Sequence, residues 1–163
     1  MGVQMVCRHD RLGGQQGFTL AELITAIAVI GIVSAAAFPM FTSFLTAMQT
    51  KGAAQELTTI LQQARELAIT RNTSYTVQID VPGNRLCFGD GVNCNWVGPG
   101  TDAQGYRRLS NQAQLAVVNT NPVFNPLGTA GGGRITVQNA QGTSALDVVV
   151  SSSGRVRIAQ VGQ

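Results

Sequence analysis

Gly17-Phe18-Thr19-Leu20-Ala21-Glu22-Leu23 sets a small residue, an aromatic and a lone carboxylate directly in front of a long apolar run. From Leu23 to Leu45 the chain carries no Asp, Glu, Lys or Arg. At about 1.5 Å of rise per residue, roughly 20 helical residues cross the ~30 Å hydrocarbon core, so this run is long enough to span a bilayer once. Arg8 and Arg11 precede it and predict a cytoplasmic N-terminus. A carboxylate at the edge of such a span is costly unless paired, and ionisable groups there mark function by default; the bland alternative is a Glu22 solvated among headgroups. A secretory signal would place its cleavage site behind the apolar run. Ser34-Ala35-Ala36-Ala37 imitates such a site, but the run continues from Phe38 to Leu45, past the length of an ordinary signal core. Met5 is an alternative start to Met1 and shortens only the segment before Gly17.

The Gly17/Phe18 junction, Glu22 as the fifth residue from Phe18, and Pro39 inside the apolar run resemble the class III leader and N-terminal helix of type IV pilins and type II secretion pseudopilins. The resemblance implies cleavage after Gly17 by a prepilin peptidase, with Phe18 as the first mature residue and the site of N-methylation. It also implies that Glu22 pairs with the N-terminal amine of a neighbouring subunit during assembly. On this reading residues 1–17 are the leader, 18–45 the transmembrane and assembly helix, and 46–163 a periplasmic pilin-like domain, with 46–72 an amphipathic helix and 73–163 β-rich. The protein would cross the inner membrane once, with its N-terminus cytoplasmic, and become extracellular when built into a pilus.

Of the 163 residues, 146 follow Gly17, enough for the anchor and one small domain with one core. The formal charge is +3, of which Arg8, Asp10 and Arg11 hold a net +1. So small an excess does not attract nucleic acid in bulk, and any such binding has to come from a local cluster. Cys7 precedes the junction, while Cys87 and Cys94 flank a turn-rich Phe88-Gly89-Asp90-Gly91-Val92-Asn93. A disulfide is the expected state in an oxidising compartment. A metal site is the rival reading, although two cysteines with no histidine beyond His9 make a poor zinc set. Catalysis has little support: His9 lies before the junction, Lys51 is the only lysine, and Asp80, Asp90, Asp102 and Asp147 are scattered without pairing. No enzyme activity and no cofactor are expected.

Beyond the anchor, Leu57, Ile60, Leu61, Ala64, Leu67 and Ala68 recur at steps of three and four and form one apolar stripe. The spacing predicts one helix from about Phe18 to Asn72, interrupted near Pro39 and Gly52, with the proline kinking or locally melting it. After Asn72 the period becomes two. Tyr75, Val77, Ile79 and Val81 alternate with polar residues, then Pro82-Gly83-Asn84 turns the chain into Arg85 to Phe88 as a hairpin. Further strands are expected at Tyr106 to Leu109, Leu115 to Val118, Arg134 to Gln138, Ala145 to Ser151 and Arg155 to Ala159. The predicted fold is α+β, a long N-terminal helix packed on antiparallel β-sheets in the manner of a pilin.

The segments Gln63 to Asn72, Val123-Phe124-Asn125-Pro126-Leu127-Gly128 and Ser153-Gly154-Arg155-Val156-Arg157 resemble the FimT/GspH group of minor pilins and pseudopilins. Some FimT-like members bind DNA in natural transformation through a Gly-Arg-x-Arg ending, and the resemblance carries that role onto Gly154, Arg155 and Arg157. Alternation in a strand puts Arg155 and Arg157 on one face, roughly 6 to 7 Å apart. Gly154 accepts a positive φ and lets a ligand approach its backbone. Arg107, Arg108 and Arg134 are candidate extensions of the patch. The contacts would be to the backbone of double-stranded DNA and independent of sequence. The competing reading of Arg155 and Arg157 is a charged edge strand that resists aggregation. Gly131-Gly132-Gly133-Arg134 imitates a phosphate loop but lacks the following Lys-Ser/Thr and the strand-to-helix setting. Two functions follow from the resemblance: a FimT-type minor pilin that contacts DNA, or a GspH-like pseudopilin of a type II secretion system whose partners are other pseudopilins.

Overall fold

The computed structural model describes residues 17–91, 93–110 and 112–162. The expectations placed on Met1, Met5, Cys7, Arg8, His9 and Arg11 therefore lie outside the described residues. The chain divides into two units, residues 1–40 and 41–163.

Helix α1, Leu20–Thr70, contributes to both units. It starts where Thr19 caps it: the Glu22 amide donates to Thr19 Oγ1 at 3.3 Å. Thr19 and Glu22 have the spacing of a capping box, and a carboxylate in the first turn faces the positive end of the helix dipole. Every residue from 17 to 45 is exposed, so this apolar surface has no cover among the described residues. By length and composition α1 is able to cross a membrane.

The predicted local melting does not occur: α1 is helical through both Pro39 and Gly52. Proline forfeits one i to i−4 bond and glycine costs about 1 kcal/mol in propensity; neither stops propagation inside a long helix whose nucleus already exists. The end lies at the predicted place. Asn72 takes a left-handed φ of 51°. The Thr73 amide donates to the Ala68 carbonyl at 3.2 Å and the Asn72 amide to Ile69 at 3.3 Å, the two bonds of a Schellman cap.

Strands β1 (Tyr75–Asp80) and β2 (Arg85–Asp90) form the predicted hairpin, paired from Tyr75 opposite Asp90 to Asp80 opposite Arg85. β3 (Gln114–Val118), β4 (Val123–Phe124), β5 (Gly133–Gln138), β6 (Ala145–Val150) and β7 (Val156–Gln160) follow. One sheet has the order β2-β1-β4 and the other β3-β5-β6-β7, with every pairing antiparallel. The strand expected at Tyr106 to Leu109 is reduced to one bridge between Arg107 and Leu86. β4 escaped the sequence reading because two residues cannot display a period. Both outcomes leave the α+β expectation standing.

The core forms where the helical stripe meets both sheets. Leu57, Ile60, Leu61, Ala64 and Ala68 are buried as expected, together with Ala53 and Ala54, whereas Leu67 is only partly covered. They pack on Val77, Leu86, Phe88, Phe124, Ile135, Val137 and Val148. Four alanines on this face are fully buried in that core, and each fully buried large side chain stabilises by about 1.5–3 kcal/mol.

Candidate functional site

Two places carry the chemistry singled out above. At the start of the chain Phe18 is 82 % exposed and Glu22 is exposed, four residues apart at the first turn of α1. Thr19, which caps the helix through the Glu22 amide, was missed by the sequence reading although the Thr-x-x-Glu signal was present.

The second place is the β6–β7 hairpin. The Gly154 amide donates to the Ser151 carbonyl and the Ser151 amide to the Arg155 carbonyl, both at 2.9 Å. Gly154 has φ +76° and is buried. A Cβ there would overlap the carbonyl oxygen of Gly128 and lie 2.9 Å from Arg65 Nε. The expected close approach at Gly154 is thus made to this chain's own β4–β5 loop and helix, because the buried glycine is already covered by them. The Ala130 amide donates to the Ser152 carbonyl at 3.0 Å and Arg65 Nε to the Gly128 carbonyl at 2.9 Å, which ties hairpin, loop and α1 together.

Arg155 ends this turn and Arg157 lies in β7, an edge strand; both are exposed. Alternation places them on the same face. Register places Arg134 opposite Val149 and Val149 opposite Arg157, so Arg134 shares that face. Its guanidinium, however, binds Asp147, whose carboxylate is buried at 1 % exposure: Arg134 Nη1 lies 3.2 Å from Oδ2, and Thr136 Oγ1 donates to Oδ1 at 2.7 Å. Arg134 joins the patch in position, with its charge already committed.

Arg107 and Arg108 do not join it. Arg107 forms an ion pair with Glu56 at 3.3 Å. Glu56 and Arg65 are nine positions apart, about two and a half turns, and so face opposite sides of α1. Arg107 sits by the first and the Gly154 turn by the second. Arg108, exposed, lines a separate cavity of about 540 Å³ with Arg85, Tyr106 and Arg107. There Arg85 lies 4.2 Å from the centre of the Tyr106 ring and 2.8 Å from Asp80. The hydrogen bonds from Arg85 and from the Gly83 amide hold the Asp80 carboxyl below its usual range, and Asp80 in turn raises Arg85.

Arg85, Arg107 and Arg134 are therefore engaged by carboxylates, whereas Arg155, Arg157 and Arg65 form no ion pair among the described residues. Arg65 appeared in the sequence only as part of a helical segment. Its contact with Gly128 spans 63 positions, a separation no local pattern reveals. Cys87 and Cys94 are joined as a disulfide, which sets aside the metal reading because each sulfur is the other's partner. Trp96, just beyond it, stacks on Phe88 with ring centres 4.5 Å apart.

Residues 53–154 match the family described as type II transport protein GspH, and residues 12–38 match the prokaryotic N-terminal methylation motif. The chain belongs to the GspH family. Its fold is that of minor pilins and pseudopilins. The minor pseudopilin EpsH of the Vibrio cholerae type 2 secretion system superposes with a TM-score of 0.54 at 19 % identity, covering 71 % of this chain and 99 % of EpsH. The type IV minor pilin FimU of Pseudomonas aeruginosa gives 0.51 at 21 % identity, covering 71 % of this chain and 91 % of FimU. No curated protein matches the sequence at a significant level. As a GspH-family member the chain is a structural pilin or pseudopilin of a type IV pilus or a type II secretion system. The methylation motif contains Gly17, Phe18 and Glu22, which fits peptidase processing, membrane anchoring and assembly with other pilins.

Proposed function

We propose that this GspH-family chain is a minor type IV pilin of the FimT type that contacts double-stranded DNA without sequence preference. Cleavage after Gly17 frees Phe18 for methylation and leaves a leader of residues 1–17, an anchor of 18–45 and a periplasmic domain of 46–163. The anchor crosses the inner membrane once with its N-terminus cytoplasmic. Glu22 pairs with the amine of a neighbouring subunit's Phe18, which relieves the cost of a carboxylate at the membrane edge.

The observation that carries the DNA reading is the pair Arg155 and Arg157: exposed, on one face of an edge strand, and without an ionic partner among the described residues. Unpaired guanidiniums on a firmly held strand are free to bind phosphates, each displacing condensed counterions. Titration of the full-length chain in nonionic detergent against a short duplex, across about 50 to 200 mM salt, tests this. Binding should weaken with salt, and the Arg155→Gln/Arg157→Gln double variant should lower the salt slope by about two. Binding indifferent to the double variant would remove these residues from the interface.

The second reading, a pseudopilin of a type II secretion system, draws on the description of the matching family. Absence of duplex binding at low salt would favour it and leave Arg155 and Arg157 as charges that guard a sheet edge.

A further inference from the structure

Leu127 is 90 % exposed, more than any other large apolar side chain among the described residues. The turn that holds it is closed by two backbone hydrogen bonds. Asn125 and Pro126 occupy its first two positions, and Gly128 follows with φ +77°. The Gly128 amide donates to the Asn125 carbonyl and the Asn125 amide to Thr129, both at 2.8 Å. Asparagine first, proline second and a left-handed glycine at the end are the residues such a turn demands, and they leave Leu127 at the tip.

Beside the tip lie the side chains of Arg65 and Ile69. A Cβ on Gly128 would come 3.1 Å from Ile69 Cδ1 and 3.3 Å from Arg65 Nη2. Ile69 is itself 48 % exposed. The Gly128 carbonyl receives Arg65 Nε and abuts Gly154, the residue before Arg155. An isolated exposed leucine is ordinary on a protein surface. Here the leucine is followed by Gly128, which touches Arg65 and Gly154, the residue before Arg155, and neither Arg65 nor Arg155 has an ionic partner among the described residues.

We propose that Arg65 and Leu127 belong to the DNA-contact surface, Arg65 binding a phosphate beside the one held by Arg155 and Leu127 entering the minor groove between them. This rests on the DNA reading of Arg155 and Arg157 given above. A minor groove about 6 Å wide admits one side chain carried on a turn tip, and apolar wedges flanked by cations are a recurrent way of engaging it. The unpaired charges point to DNA over an apolar partner surface, which would strip both guanidiniums of water without compensation.

The test uses the full-length chain in nonionic detergent and a mixed-sequence duplex at several salt concentrations. Leu127→Ala, at a site too exposed to affect folding, should weaken binding about fivefold to tenfold and leave the salt slope unchanged. Arg65→Gln should lower the slope by about 0.9, and Arg65→Lys should restore it. A purely structural role through the Gly128 hydrogen bond would instead show as lost stability, and Arg65→Lys, which restores the charge without the Nε donor, would then not bring the slope back. Wild-type binding that depends on Arg155 and Arg157, but is untouched by Leu127→Ala and Arg65→Gln, would overturn this proposal and leave the earlier reading intact. No duplex binding by the wild type would remove both.

Discussion

Replacing Gly154 by alanine isolates the contact that locks the arginine-bearing hairpin to the rest of the fold. Two costs combine there. A left-handed φ of +76° costs an alanine about 1–2 kcal/mol, offset by about 0.4–1 kcal/mol from the less flexible unfolded chain. The new Cβ also overlaps the Gly128 carbonyl, a backbone atom fixed by Arg65 Nε, and forced repacking of that kind costs about 1–3 kcal/mol. Gly154→Ala should therefore lose roughly 2–4 kcal/mol in total. Gly142 is the natural control: its φ is +70°, but a Cβ would meet nothing closer than Gln138 Oε1 at 3.9 Å. Gly142→Ala should cost only about 0.5–1 kcal/mol, the backbone part alone. Denaturant unfolding of the full-length chain in detergent, followed by fluorescence of Trp96, the only tryptophan and stacked on Phe88, reads both. Equal losses at the two glycines would refute the claim that close approach, beyond φ alone, requires Gly154.

Two further outcomes follow from the ion pairs. Arg134→Gln leaves the buried Asp147 carboxylate with Thr136 and the Gly162 amide as its hydrogen-bond donors among the described residues, and should cost about 1–3 kcal/mol, less than a fully buried pair because Arg134 is half-exposed. Adding Asp147→Asn should recover part of it in a double-mutant cycle, and purely additive losses would contradict the pairing. Asp80, whose carboxyl is held below its ordinary value of 3.8 by Arg85 and Gly83, contributes stability that is present above that value and lost as pH falls through its depressed folded value. Asp80→Asn should flatten the acid limb of the stability profile below about pH 4; an unchanged limb would place its origin elsewhere.

The site was legible in unequal parts. Arg155 and Arg157 could be assigned to one face from alternation alone, because a strand's period is local. Gly154 was visible as a glycine suited to a tight turn, but its neighbour proved to be Gly128 rather than a ligand. Arg107 and Arg108 looked like candidate members of the same patch, and the α+β layering separates them, since Glu56 and Arg65 lie on opposite flanks of one helix. Arg134 stands in the patch by register and is held by Asp147. Pro39 and Gly52 were read as breaks because propensity is assessed one residue at a time, whereas helix continuity is cooperative over many.

The sequence by itself determined the apolar span with its Glu22 and Phe18, the amphipathic stripe from Leu57 to Ala68, the β1–β2 hairpin and most strand positions. Each of these is a periodicity or a turn written within a few neighbouring residues. Only the tertiary structure decided which arginines are engaged by carboxylates among the described residues, and that the loop of Asn125 to Gly128 and the turn of Ser151 to Gly154 meet at Arg65. Charge pairing and backbone contact depend on distances between segments far apart in the chain, and those distances exist only once the helix has buried its stripe against both sheets.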